Sequence, residues 1–174
     1  ARLHLAGADF ARARINDLGV DGWRPITDDT GAAVDALRPG LFDDVRRALD
    51  DLEANWPKAL PVGAIHADLF PDNVFFRSGH VSGIIDFYFA CTDAFAYDVA
   101  VCLNAWCFER DLSFNITKAR RLLAGYGRVR EFSAAERYAL PVLARGAAMR
   151  FLVTRLYDWF NTPETALTRR KNPV

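Results

Sequence analysis

The chain has 174 residues, 22 basic against 22 acidic side chains, 51% hydrophobic and 13% aromatic residues, and only 11 Gly and 8 Pro. That composition excludes disordered, collagenous and coiled-coil chains and describes one globular domain with room for two subdomains, large enough to bury about 68–70% of its unfolded surface without a disulfide or metal staple. Balanced charge also excludes a broad field for gripping nucleic acid or an anionic membrane, leaving only a local patch open.

Residues 1–16 are rich in Ala, Leu and Arg and predict a helix. The chain opens in that pattern without an initiator Met, so a longer parent is expected. Gly19, Gly22, Pro25 and Gly31 predict a long irregular stretch, which Pro39 and Gly40 close. Leu41, Val45, Leu49, Leu52 and Trp56 then fall at helical spacing, and Pro57 stops that helix. Short strands are predicted at 62–65, 74–77 and 81–85, the last two joined through Ser78-Gly79-His80 as a hairpin. After Asp93 the pattern is helical, beginning with 94–108. Asn115 caps the next helix, which ends at Gly125 and Gly127. Ser133-Ala134-Ala135-Glu136 fits a capping box opening a helical stretch of about 25 residues, interrupted by Pro141. The Arg169-Arg170-Lys171 tail reads as a frayed terminus. The expected fold class is mainly α, a helical body carrying one small β-hairpin.

Cys91, Cys102 and Cys107 lack C-x-x-C pairing and read as reduced core thiols, not as a disulfide framework or zinc site. No apolar run reaches the roughly 18 to 20 residues of a membrane span, because Asp98 cuts the best candidate, and no secretory signal is present. A cytoplasmic protein is expected.

The chemistry concentrates in His66-Ala67-Asp68-Leu69-Phe70-Pro71-Asp72-Asn73, which sets polar and turn-forming residues between two apolar strands. Its spacing matches the catalytic-loop pattern H-x-D-x-x-x-x-N, and Asp86-Phe87-Tyr88 follows the hairpin's second strand. Phosphoryl transfer to an alcohol needs a carboxylate that orients the hydroxyl and accepts its proton, a role open to Asp68. It also needs Mg²⁺ held by few protein ligands, and Asn73 and Asp86 offer one neutral and one anionic oxygen. The hairpin between them would fix their separation, so the groups at 68, 73 and 86 are expected to converge on one point. His66 reads as pinning the loop by hydrogen bonds rather than moving protons. Asp72 is either a turn residue or a supporting group, and Asp98, inside an apolar helix, must find donors or titrate neutral.

These residues resemble the catalytic half of the aminoglycoside phosphotransferase and choline kinase superfamily. The longer run 65–76, then Ile85-Asp86-Phe87-Tyr88-Phe89-Ala90-Cys91, Tyr97-Asp98 and Leu103-Asn104-Ala105-Trp106-Cys107, resembles its homoserine kinases. The resemblance covers nearly the whole chain. It implies a protein-kinase-like helical lobe, with ATP as co-substrate and Mg²⁺ as cofactor, phosphorylating the homoserine hydroxyl in threonine biosynthesis. It makes Asp68 the catalytic base, Asn73 and Asp86 magnesium ligands, and Asp98 a brace for the loop. The Gly-rich loop and strand Lys of a kinase are missing from 1–174, and Gly125-Tyr126-Gly127 reads as a helix terminator. The whole chain is therefore expected to be a C-terminal lobe, inactive alone, with an exposed apolar patch where an N-terminal nucleotide-clamping lobe docks.

A homoserine pocket needs partners for a carboxylate and an ammonium. Arg150 and Arg155 lie among apolar residues of the last helix and are either a carboxylate clamp or solvated cations whose stems cover apolar neighbours. Tyr88, Asn104 and Trp106 are candidates to line the same cleft. Choline, ethanolamine, aminoglycoside or sugar acceptors stay open, as does a non-catalytic binding module.

Overall fold

The computed structural model describes residues 1–163 and Pro173, so the Arg169-Arg170-Lys171 stretch lies outside the described residues. Two compact units emerge, Ala1–Asn16 with Pro57–Ala147, and Asp17–Trp56 with the chain from Ala148 onward. The architecture is mainly helical, with two small antiparallel sheets. No helix among the described residues is long and apolar enough to cross a membrane.

The first unit opens with α1 (Arg2–Ala6). The predicted helix over 1–16 stops there because the backbone beyond it is used elsewhere: Thr92 N–H donates to Arg14 O at 2.7 Å, and Arg14 N–H to Thr92 Oγ1 at 3.2 Å. The segment straps β4 (Cys91–Ala94), whose other side pairs with β1 (Val62–Ile65) in register Val62↔Ala94 to Ile65↔Cys91. This second ladder goes beyond the single hairpin expected. Cys-Thr-Asp-Ala has no apolar alternation, and partners on both sides make it a strand. At Gly63 a Cβ would lie 2.4 Å from Phe95 Cζ, so only glycine lets that ring pack on the strand.

β2 (Val74–Arg77) and β3 (His80–Ile84) form the predicted hairpin. Ser78 and Gly79, at φ of 51° and 76°, form its tip, the left-handed pair of a tight two-residue turn. Three helices complete the unit: α4 (Phe95–Trp106), α5 (Ile116–Gly127) and the first part of α6 (Ala134–Asn161). Val99, Tyr126 and Phe132 form one core cluster and Leu103, Cys107 and Ala119 another, with Leu122, Leu123 and Leu140 packed on both. Both caps read from sequence are made. Asn115 accepts from Lys118 N–H at 2.9 Å, while Ser133 Oγ accepts from Glu136 N–H at 3.1 Å and Glu136 Oε2 from Ser133 N–H at 2.8 Å. Pro141 does not interrupt α6, which runs 28 residues. The proline forfeits one ladder bond, and the buried row Ala139, Leu143, Ala147 carries the helix past it.

In the second unit the stretch read as irregular is α2 (Val20–Thr30) followed by a 3₁₀ turn over Gly31–Ala36. Besides fully buried Trp23, the inner face of α2 carries Thr27 and Thr30, whose hydroxyls donate to the carbonyls of Trp23 and Ile26, both at 2.9 Å. Threonines satisfied one turn back take the place of apolar residues, so the hydrophobic period is faint. Pro25 costs one backbone bond. α3 (Leu41–Asn55) buries Leu41, Val45, Leu49 and Leu52, as their spacing predicts, and Trp56 meets Trp23 edge-on at 5.1 Å. Glu53 and Asp50 bind Arg24 at 2.7–2.9 Å and hold its guanidinium firmly charged.

Candidate active site

β1 delivers the chain into the loop, and His66 is its anchor. His66 is fully buried, and its Nε2 lies 2.9 Å from Ile85 O while its Nδ1 lies 3.3 Å from Asp68 N. A carbonyl only accepts and a backbone amide only donates, so the proton sits on Nε2 and Nδ1 is the acceptor. Both ring nitrogens are thereby spent on backbone, as expected of a residue that pins the loop. Phe87 packs on the same imidazole, centroids 4.6 Å apart.

Between His66 and Asp68 the chain turns through Ala67, a non-glycine residue at φ 63°. Asp98, 1% exposed in the first turn of α4, holds it there: Oδ1 accepts from Ala67 N–H at 2.7 Å and Oδ2 from His4 Nε2–H at 2.8 Å. The buried carboxylate has thus found two donors and lies near a helix N-terminus that favours its charge.

The loop then closes on itself. Phe70 N–H donates to Asp68 O at 2.8 Å and Asn73 N–H to Phe70 O at 3.0 Å. The Asn73 amide donates to Asp68 O at 2.7 Å and to Asp68 Oδ2 at 3.1 Å. Both amide hydrogens therefore face Asp68, which leaves Asn73 Oδ1 as the oxygen an incoming cation would meet. Asn73 sits at the hairpin's open end, where its carbonyl accepts from Ile85 N–H at 3.1 Å. Exposed Asp86 follows at φ 62°, a left-handed position that Asp tolerates better than most residues. The Ile85 backbone, just before Asp86, is thus tied to the Asn73 carbonyl and to the His66 imidazole.

An amide oxygen and an exposed carboxylate are hard donors that suit Mg²⁺, which commonly uses one or two carboxylates and takes its other ligands from phosphates and water. Among the described residues no three His, Cys, Asp or Glu side chains form a metal cage.

Of the residues considered for substrate, Trp106 donates its indole N–H to Leu69 O at 2.7 Å and meets Phe76 edge-on at 6.1 Å, so it supports the loop and has only its ring left to offer. Asn104 donates to Ala144 O at 2.8 Å. Tyr88, 72% exposed in the 3₁₀ turn Phe87–Phe89, is held by its backbone carbonyl, which accepts from Arg14. Arg150 and Arg155 belong to the second unit; Arg150 is buried, its guanidinium 4.4 Å from the Phe151 ring. Asp72 is exposed in the 3₁₀ turn Pro71–Asn73. The cysteines form no disulfide, and burial, with Asp98 one turn back, pushes the Cys102 thiol up.

Sequence reasoning missed His4 and Tyr126. His4, 3% exposed, contacts Asp98 through Nε2 and the Tyr126 hydroxyl through Nδ1, each at 2.8 Å. One signal was present, a histidine between Leu3 and Leu5 on a helix too short to bury it without partners.

A loop carboxylate beside a strained residue, braced from a helix and hydrogen-bonded to an asparagine at the open end of a hairpin, is an arrangement suited to phosphoryl transfer. The chain matches the phosphotransferase enzyme family over residues 1–132 and belongs to it. It is 65% identical to a homoserine kinase of Acidiphilium cryptum and 63% identical to one of Xanthobacter autotrophicus, each time over 100% of this chain and 54% of the relative. It therefore spans about half the length of the curated relatives it matches. Two solved structures share the fold. An aminoglycoside-3′-phosphotransferase of type VIII aligns with a TM-score of 0.55 at 24% identity, covering 73% of this chain and 49% of the other. A Plasmodium vivax ethanolamine kinase aligns with a TM-score of 0.61 at 17% identity, covering 83% and 43%.

Proposed function

We propose that this chain is the catalytic lobe of an ATP-dependent homoserine kinase, completed by a nucleotide-clamping lobe that precedes residue 1 in the full-length protein. The reading makes the lobe inactive alone and the enzyme a cytoplasmic member of threonine biosynthesis. The observation that carries the chemistry is the double donation from Asn73 to Asp68, which aims the Asp68 carboxylate and the Asn73 amide oxygen at once. The acceptor rests on the 62–65% identity to three homoserine kinases along the whole chain.

Asp68 orients the side-chain hydroxyl of homoserine and accepts its proton as the oxygen attacks the γ-phosphorus of ATP. One O–P bond forms, the bond to the bridging oxygen breaks, and ADP leaves. Asn73 Oδ1 and the Asp86 carboxylate would hold Mg²⁺, whose contribution there would be to offset the charge of the nucleotide phosphates. His66 and Asp98 move no proton. They fix the backbone amides of Ala67 and of Asp68 itself. The hairpin and the turn after it expose Phe75, Phe76, Val81, Ile85, Phe87 and Tyr88 at 47–72%, an apolar surface suited to the preceding lobe.

The test is turnover by the full-length protein with ATP and a panel of homoserine, choline, ethanolamine, an aminoglycoside and a sugar. Homoserine is expected to have the highest kcat/KM. Preference for choline or ethanolamine would replace the acceptor, and phosphorylation of none would favour a non-catalytic binding module.

A further inference from the structure

Behind the loop runs a second row of buried polar groups that the phosphoryl-transfer chemistry does not use. Glu136, fully buried, accepts from Arg130 Nη1 at 2.8 Å, and Arg130 Nη1 lies 3.3 Å from the Tyr126 hydroxyl. Tyr126 Oη lies 2.8 Å from His4 Nδ1, and His4 Nε2 lies 2.8 Å from Asp98 Oδ2. Asp98 Oδ1 in turn accepts from Ala67 N–H at 2.7 Å.

With His4 as a neutral imidazole, the chemistry of Arg130 and Asp98 sets every hydrogen between them. A guanidinium only donates, so the Tyr126 oxygen accepts from Arg130 and its own hydrogen points at His4 Nδ1. A carboxylate only accepts, so the His4 proton sits on Nε2 and points at Asp98. Burial, foremost, pushes the Tyr126 hydroxyl up, which keeps it a donor. From Arg130 through Tyr126 and His4 to Asp98 the dipoles run one way, and such a chain polarises its members cooperatively. Aromatic packing locks the geometry: Phe95 stacks on His4 at 4.8 Å, with the Arg130 guanidinium 4.5 Å from the Phe95 ring.

We propose that His4 is a positioning residue for phosphoryl transfer, acting at one remove through Asp98. Asp98 has two tasks, and without a donor on Oδ2 its carboxylate is free to rotate about χ2 and release the Ala67 amide. Ala67 stands at φ 63°, where an L-residue stays only while its surroundings hold it. Relaxation of that one residue re-aims the side chain of Asp68, its neighbour. His4 thus sets the direction of the base while touching no reactant, and the Arg130–Tyr126 pair sets the direction of His4.

The inference rests on the proposed kinase reading, so one measurement is chosen that does not depend on activity. In the full-length protein, His4→Leu, which keeps bulk and removes both polar atoms, is expected to lower kcat about 10- to 100-fold, the usual range for an outer partner of a site residue. KM for ATP and for the alcohol is expected to stay within about threefold, because no substrate contact is lost. His4→Gln, which can still donate to Asp98, is expected to recover most of the loss. Hydrogen exchange at the Ala67 amide is expected to speed up at least about tenfold in His4→Leu and much less in His4→Gln, following the lost bond. An unchanged kcat, an effect confined to KM, a Gln variant no better than Leu, or unchanged Ala67 exchange would each overturn the proposal. Should His4→Leu fail to fold, Tyr126→Phe removes a single hydroxyl, and the same slower kcat with faster Ala67 exchange is required of it. Wild-type protein that phosphorylates no alcohol would sink the kinase reading, while the exchange measurement would still decide what His4 does to the loop.

Discussion

Asn73 separates two ideas about the site, because its amide nitrogen and amide oxygen do different work. The nitrogen donates to Asp68 O at 2.7 Å and to Asp68 Oδ2 at 3.1 Å, while Oδ1 is the proposed metal ligand. Asn73→Ala removes all three functions. Asn73→Asp keeps an oxygen for the metal and turns both donors into acceptors. A bond to a charged acceptor is worth about 1.5–3 kcal/mol and a neutral one about 0.5–1.5, so losing both costs roughly 2–4.5 kcal/mol of loop positioning. That is about 30- to 2000-fold in rate if the geometry is needed in the transition state. The aspartate adds repulsion as well: two charges 3.1 Å apart at an effective dielectric of 20 repel by about 5 kcal/mol before either side chain swings away. Steady-state kcat of the full-length enzyme at saturating Mg²⁺ and ATP is the assay. Both variants are expected to fall at least about 30-fold, with Asn73→Asp no more than about tenfold better than Asn73→Ala. An aspartate variant close to wild type would show that a metal-facing oxygen is all the site asks of this position, and the argument from the amide hydrogens would be wrong.

Three further outcomes are expected. Asp68→Asn removes the base while Asn73 can still bond the residue's backbone oxygen, so kcat is expected to fall about 10²- to 10⁴-fold with little change in nucleotide binding; near-normal turnover would rule out Asp68 as the base. Asp86 is better tested as Asn than as Ala, because Asn also tolerates φ of 62° and the charge alone is then lost. Calorimetry on Asp86→Asn is expected to show magnesium-nucleotide affinity at least about tenfold weaker, some 1.4 kcal/mol, and equal affinity would remove the carboxylate from the metal site. Gly63→Ala puts a methyl 2.4 Å from Phe95 Cζ, on a ring already packed against His4 and Arg130, so denaturant unfolding is expected to show a loss of about 1–3 kcal/mol. An unchanged midpoint would mean that the ring moves aside freely.

How far the sequence could be read depended on how far apart the interacting residues lie. α3 was legible because Leu41, Val45, Leu49 and Leu52 state its buried face within four turns, and both caps because donor and acceptor are three residues apart. The loop was legible as a pattern of residue types, and its internal bonds from Asn73 to Asp68 span only five positions. α2 was lost because its inner face is half threonine, polar to any hydropathy count yet satisfied one turn back. β4 was lost because its second edge partner, Arg14, lies 78 positions away, and His4 because its partner Asp98 lies 94 positions on. Nothing local in either pair signals the other.

Two residues of the site have strained backbones. Ala67 and Asp86 both occupy the left-handed region, where glycine would be cheaper, and such positions cost of order 1–3 kcal/mol each. Glycine would relieve the strain but would also let the backbone sample both hands, and the direction of the following side chain would no longer be set. At 67 a side-chain-bearing residue is held by Asp98, and the direction so fixed is that of Asp68. At 86 the left-handed residue is itself the proposed ligand, and Ile85 before it is held on both sides, its carbonyl by His66 and its amide by Asn73. The two strained residues thus share one anchor: His66 bonds Ile85 with one ring nitrogen and Asp68 with the other. Asp68 and Asp86, the proposed base and proposed metal carboxylate, lie on opposite sides of the hairpin in sequence, yet their backbones are fixed relative to a single imidazole. That explains why a histidine with no spare nitrogen belongs at the start of the loop.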